Sequence, residues 1–105
     1  MVTQLFVCKR PAGMSRDEFG AYWKDTHAPI ARNIPGLQQY IQYHGISDAN
    51  GEPSVDGVAL MTFADADSMR AAWETPEGKA TMDDAPNFVD LTQLVVTTFE
   101  EHQII

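Results

Sequence analysis

The feature of this sequence that most limits its fold is the order in which its apolar residues change period. Residues 2–9 are rich in β-branched and aromatic side chains, and Leu5, Phe6, Val7 and Cys8 place apolar groups on both parities, as in a strand covered on both faces. After the turn chemistry of Arg10–Met14 the spacing lengthens to three and four, with Phe19, Tyr22, Trp23, Thr26, Ile30 and Ile34 on one helical stripe. Residues 37–45 and 55–63 return to period two, separated by the loop Asp48–Ser54. A second helix starts at Asp65 or Asp67 and buries Met69, Ala72 and Trp73. Thr75-Pro76-Glu77-Gly78 interrupts it, and residues 77–89 read as a shorter helical piece, broken at Pro86, with Ala80, Met82, Phe88 and Val89 inward. Leu91–Phe99, rich in Val and Thr, reads as the last strand, and Glu100–Ile105 as a tail whose final Ile-Ile suits a partner subunit better than water.

The order strand, helix, strand, strand, helix, strand predicts an α+β fold of the ferredoxin-like βαββαβ type. It is a four-stranded antiparallel sheet with the helices on one face. The other face would present Leu5, Val7, Ile41, Tyr43, Val58 and Leu60, an apolar patch that needs a partner. A second copy laid sheet to sheet, giving a two-fold homodimer, is the simplest cover. A length of 105 residues predicts one domain over 1–105, and the 44 % apolar fraction is enough for a core of its own. A net charge of −8 with scattered cations argues against nucleic acid and anionic membranes as partners. No charged-then-apolar leader opens the chain, and no apolar run approaches the roughly 18 residues of a membrane span. The single cysteine, Cys8, cannot form a disulfide within the chain, so a cytoplasmic protein is expected.

The first helix carries the most specific chemistry. Ser15 and Glu18 have the spacing of a capping box at its start. Near its end Pro29 removes the donor that the carbonyl of Asp25 would use and disfavours helical angles at Ala28, so a kink or restart is expected, closed by Ile34-Pro35-Gly36. His27, four residues after Trp23, falls at the edge of the stripe on the disturbed turn. It has two possible roles: a general acid or base with a pKa near neutrality, or a side chain that satisfies a carbonyl freed by the kink. Across from it, Tyr40, Gln42 and His44 share one parity of the second strand, a face too polar for an ordinary core and suited to a cavity wall. Tyr40 is either a donor to a ligand oxygen or a core tyrosine with one hydrogen bond. Gln42 and, nearer the rim, His44 are candidate binding residues, with Trp23, Met61 and Phe63 as walls. The three histidines have no metal-site spacing, and no glycine-rich phosphate loop or GxSxG is present, so neither a metal nor a cofactor is expected.

Taken together, Lys9-Arg10-Pro11, Met14-Ser15 followed by Phe19, Tyr22-Trp23, His27-Ala28-Pro29, Ile34-Pro35-Gly36-Leu37, Tyr40 and Thr75-Pro76-Glu77-Gly78-Lys79-Ala80 followed by Phe88 resemble the EthD domain. The resemblance covers essentially the whole chain. It implies a dimeric α+β barrel with a ligand cleft between each subunit's sheet and its helices. Similar barrels act as cofactor-free monooxygenases, polyketide cyclases, muconolactone isomerases and haem-degrading enzymes, so the fold does not fix the chemistry. Relatives with lactone-isomerising activity use a histidine and a tyrosine at the places of His27 and Tyr40, and a cysteine on the third strand where this chain has Met61. Haem on His27 is implied only by analogy of fold. The expected function is therefore binding of a small hydrophobic, oxygenated compound in an apolar cleft. Cofactor-independent oxidoreductase or isomerase chemistry would act on it by proton transfer in a catabolic or secondary-metabolite pathway. The alternative is a carrier, or an accessory to a monooxygenase system.

Overall fold

The computed structural model describes residues 1–105. Strands β1 (Val2–Cys8), β2 (Gln39–His44), β3 (Gly57–Phe63) and β4 (Val95–Glu100) form one sheet in the order β2-β3-β1-β4, with every neighbouring pair antiparallel. This is the ferredoxin-like arrangement expected from the order of periods. Residues paired across the ladder share a face. Leu5 therefore lies with Leu60 and Thr97, Val7 with Val58 and Val95, and Ile41 and Tyr43 with Leu60 and Val58. This face carries no helix, and Tyr43, Val95 and Phe99 on it are exposed. The opposite parity, including Phe6, Cys8, Ala59, Met61 and Phe63, packs under the helices in two clusters.

The first helical segment begins as its capping box requires. The Glu18 N–H donates to Ser15 Oγ and the Ser15 N–H to Glu18 Oε1, each at 3.0 Å. Helix α1 (Arg16–Tyr22) then passes into a π-helical turn, Trp23–His27, and on to α2 (Ala28–Ala31) without leaving helical angles. Ala28, expected to be pushed out of the helical region, sits at φ −57° and ψ −40°. The π turn explains the difference. The Ala28 N–H reaches the carbonyl of Trp23, five residues back, and Pro29 falls in the first turn of α2, where its missing N–H is not needed. The extra residue also resets the buried face. Phe19, Trp23, His27 and Ala31 are buried at steps of four, Thr26 is exposed and Ile30 only partly covered. His27 thus lies on the axis of the stripe rather than at its edge.

Helix α3 (Ala66–Trp73), capped by Asp65, leads directly into α4 (Pro76–Asp84), capped by Thr75. The inward face of α4 is not the expected one. Gly78 and Thr81 are buried, whereas Ala80 is exposed and Met82 is 49 % exposed. Close approach of α3 sets this phase: a Cβ on Gly78 would lie 2.3 Å from the carbonyl oxygen of Ala72, so only a glycine can face that helix. Phe88 and Val89 are buried as expected. The last strand starts four residues later than the sequence suggests. Asp90 accepts from the Thr92 N–H and hydroxyl and from Gln93 Nε2, holding Leu91–Gln93 in a 3₁₀ turn. No helix is long and apolar enough to cross a membrane.

Candidate active site

Between the covered face of the sheet and the helices lies a cavity of about 50 Å³. Twelve of its 14 lining residues are hydrophobic, so any polar group on its wall works in a low dielectric. His27 and Tyr40 are both on that wall, as are Trp23 and Met61. The π turn delivers His27 and Trp23 to it, β2 delivers Tyr40, and β3 delivers Met61.

His27 is buried, with its ring centroid 4.6 Å from that of Phe88. Its Nδ1 lies 2.7 Å from Asp84 Oδ2, at the last residue of α4. The other oxygen, Asp84 Oδ1, accepts from the Tyr22 hydroxyl at 2.6 Å and from Asn87 Nδ2 at 3.0 Å. Burial pushes the imidazole of His27 below its ordinary pKa, and the opposing pull of Asp84 does not cancel it. For Asp84, burial favours the protonated acid, but hydrogen bonds from Tyr22, His27 and Asn87 together outweigh it and hold the carboxyl below its usual range. The Tyr22 phenol is raised, because ionising it would forfeit its hydrogen bond to Asp84.

Tyr40, Gln42 and His44 form one hydrogen-bonded chain. Gln42 Nε2 donates both to the Tyr40 hydroxyl at 2.9 Å and to the Trp23 carbonyl at 3.0 Å. Gln42 Oε1 lies 2.9 Å from His44 Nε2, and an amide oxygen can only accept, so that nitrogen carries the proton. The Trp23 carbonyl is therefore held twice, by the Ala28 N–H and by Gln42, which clamps the π turn to β2. His44 stacks on Trp23 with centroids 4.5 Å apart and is itself exposed. Burial raises the Tyr40 phenol above its ordinary value, against the hydrogen bond from Gln42, so the hydroxyl stays protonated at neutral pH.

Of the residues picked from sequence, His27, Tyr40, Trp23 and Met61 converge on the cavity. Gln42 stands behind Tyr40 rather than on the wall, and His44 lies in an exposed groove beside Arg16 and Lys24. Phe63, expected as a wall, is wholly buried in the second cluster with Ile34 and Met69, one ladder step too far along β3. Asp84 and Tyr22 were not singled out. Nothing local distinguishes Asp84 from its neighbour Asp83, since its partner His27 is 57 residues away. The π turn did leave a signal, the unbroken steps of four from Phe19 to Ala31. Cys8 also lines the cavity, and burial raises its thiol to about 11, so it stays protonated. No three His, Cys, Asp or Glu side chains come together as a metal centre requires. A haem on His27 does not fit, because the macrocycle is many times larger than a cavity of about 50 Å³.

The fold and site define an α+β protein of ferredoxin-like topology with a small apolar cavity. The EthD domain family model matches residues 11–92, and the chain belongs to the EthD family. An EthD family protein from Bacillus halodurans C-125 superposes with a TM-score of 0.85 at 29 % identity, over 97 % of this chain and 99 % of the other. A dimeric protein of ferredoxin-like fold from Bacteroides fragilis matches with a TM-score of 0.71 at 10 % identity, over 95 % of each chain. SnoaB, a cofactor-independent oxygenase from Streptomyces nogalater, matches with a TM-score of 0.69 at 16 % identity, over 99 % of this chain and 95 % of the other. No curated protein matches the chain.

Proposed function

We propose that this protein binds a small hydrophobic, oxygenated organic compound in the cavity and acts on it by cofactor-independent proton transfer, of the oxidoreductase or isomerase type, in a catabolic or secondary-metabolite pathway. The observation that carries this reading is a buried histidine whose Nδ1 is engaged by a carboxylate while the ring borders an apolar cavity. A side chain needed only for packing would not require a carboxylate partner. His27 exchanges a proton with ligand carbon or oxygen, Tyr40 donates to a ligand oxygen, and Trp23 and Met61 exclude water. The fold shared with a cofactor-independent oxygenase supports the reaction class. A ring-sized ligand requires more room than about 50 Å³, and Met82, which lines the cavity and is half exposed, is the flexible side chain that can swing aside.

The protein is further proposed to act as a cytoplasmic homodimer. The helix-free face of the sheet exposes Tyr43, Val95 and Phe99, and a dimeric protein shares the fold. The unpaired, buried Cys8 fits a reducing compartment.

The test compares wild type with His27→Ala on a panel of phenols, quinols and lactones, both confirmed as folded. The variant is expected to lose turnover by about 10²-fold or more, the lower end for a general acid or base. Equal turnover by the two proteins removes His27 from the chemistry, and binding without turnover by either favours a carrier or accessory role. A sedimentation mass of one chain would refute the dimer.

A further inference from the structure

We infer that Asp84 is a positioning residue that fixes the His27 proton on Nδ1 and leaves Nε2 as a base for ligands that enter the cavity uncharged. The inference rests on the reading of His27 as the group that moves a proton.

Donors and acceptors around Asp84 decide the tautomer. Tyr22 and Asn87 both donate to Oδ1, which commits that oxygen as an acceptor. Oδ2 faces His27 Nδ1 at 2.7 Å, and an ionised carboxylate can only accept, so Nδ1 carries the proton. The neutral ring then has its lone pair on Nε2, which has no hydrogen bond within the chain, and His27 borders the cavity. In the reaction a ligand C–H or O–H bond breaks, an Nε2–H bond forms, and the electron pair stays on the ligand as an enolate or phenolate. The new imidazolium is stabilised by Asp84, much as a carboxylate holds the histidine in acyl-transfer triads.

The same geometry limits the ligand. No Lys, Arg, Asp or Glu lines the cavity, and Asp84 lies behind His27, engaged with its Nδ1. A ligand arriving as a carboxylate would bring an uncompensated charge into an apolar space, whereas a neutral carbon or oxygen acid would not. The substrate class is thus neutral enolisable compounds and phenols.

The experiment reads the His27 ring by nitrogen NMR at pH of about 8, well above the ordinary histidine value, and needs no ligand. Wild type is expected to show the Nδ1–H tautomer. In Asp84→Asn the amide oxygen is claimed by Tyr22 and Asn87, so its NH₂ turns to His27 and the ring switches to Nε2–H. In Tyr22→Phe, a milder change, Asp84 still accepts from His27, so Nδ1–H is retained. An Nε2–H ring in wild type, or an unchanged ring in Asp84→Asn, overturns the inference, whatever His27→Ala does to turnover. For the ligand class, phenol is expected to shift the His27 resonances at concentrations where benzoate does not, and equal or tighter binding of benzoate overturns that part.

Discussion

Two apolar clusters share the space under the helices, and they are built differently. In one, Ala31, Ile34, Met61, Phe63, Met69 and Ala72 close on each other, and of the six only Met61 reaches the cavity. In the other, Cys8, Trp23, Ala59, Phe88 and Val89 border a space they do not fill, with Phe19 packed against Trp23 and Phe88 and with His27, Asp84 and the Tyr40–Gln42–His44 chain set into or against it. Complete packing yields stability and leaves nothing for chemistry to use. A core that stops short of full packing can bury ionisable groups, provided that each is given a partner, and here every fully buried side-chain nitrogen and oxygen has one. The contrast sets the closed cluster to holding the fold and makes the open one the place for the proposed chemistry.

The contrast can be broken most severely at Phe63. Phe63→Ala should cost about 3–5 kcal/mol, as for other large-to-small changes at fully buried rings, with little change in the His27 environment. Denaturant melts and the His27 NMR signal read the two halves separately, and a large shift of that signal would show that the clusters are not independent. Next comes Gly57→Ala, where a Cβ would lie 2.4 Å from the Trp23 ring. Overpacking of this kind costs about 1–3 kcal/mol. Because it presses on Trp23, it should disturb tryptophan fluorescence and the His27 signal along with stability, the reverse of Phe63→Ala.

A smaller effect appears on acidification. The pKa of His27 is lower in the folded chain than its free value of about 6.5. Above that pH neither state holds the proton. As the pH falls below it the unfolded chain binds a proton first, so stability declines until the folded imidazole also titrates. His27→Gln should flatten the fall in Tm between about pH 6.5 and 5, without abolishing it, since His44 is lowered too. Asp84 is depressed as well, but its contribution is lost only below the free carboxyl value of about 3.9, outside this window. The smallest effect on stability is expected for Met82→Ala, within about 0.5 kcal/mol for a half-exposed side chain. It should nonetheless widen the range of ring-substituted phenols that bind by calorimetry, and an unchanged range would remove Met82 from the cavity mouth.

How much of this was legible in the sequence follows the range of the interactions. The element order, the capping box of Ser15 and Glu18, the helix-free face and the polar parity of Tyr40 depend on residues a few positions apart, and periodicity reads those directly. The phase of α4 was not legible, because it is fixed by contact between Gly78 and α3 rather than by the pattern of α4 itself. Phe63 was misplaced for a related reason: parity gives the face of a strand but not how far along it a cavity extends. Asp84 was the largest omission, an ordinary acidic residue until the fold brings it to Tyr22 and His27.

The π turn has one more consequence, and it concerns chain length rather than side-chain chemistry. An α-helix advances about 100° per residue, so one inserted residue would put everything after it out of step by that angle, but the wide turn from Trp23 to His27 absorbs the extra residue and keeps the following face in line. Removing one residue there, Lys24 for example, would let an ordinary helix close with Ala31 still on that face, because the eleven steps that then separate it from Phe19 make three turns and about 20°. A shortened chain of this kind is expected to fold and pair its strands as before, with the change confined to the wide turn that carries His27.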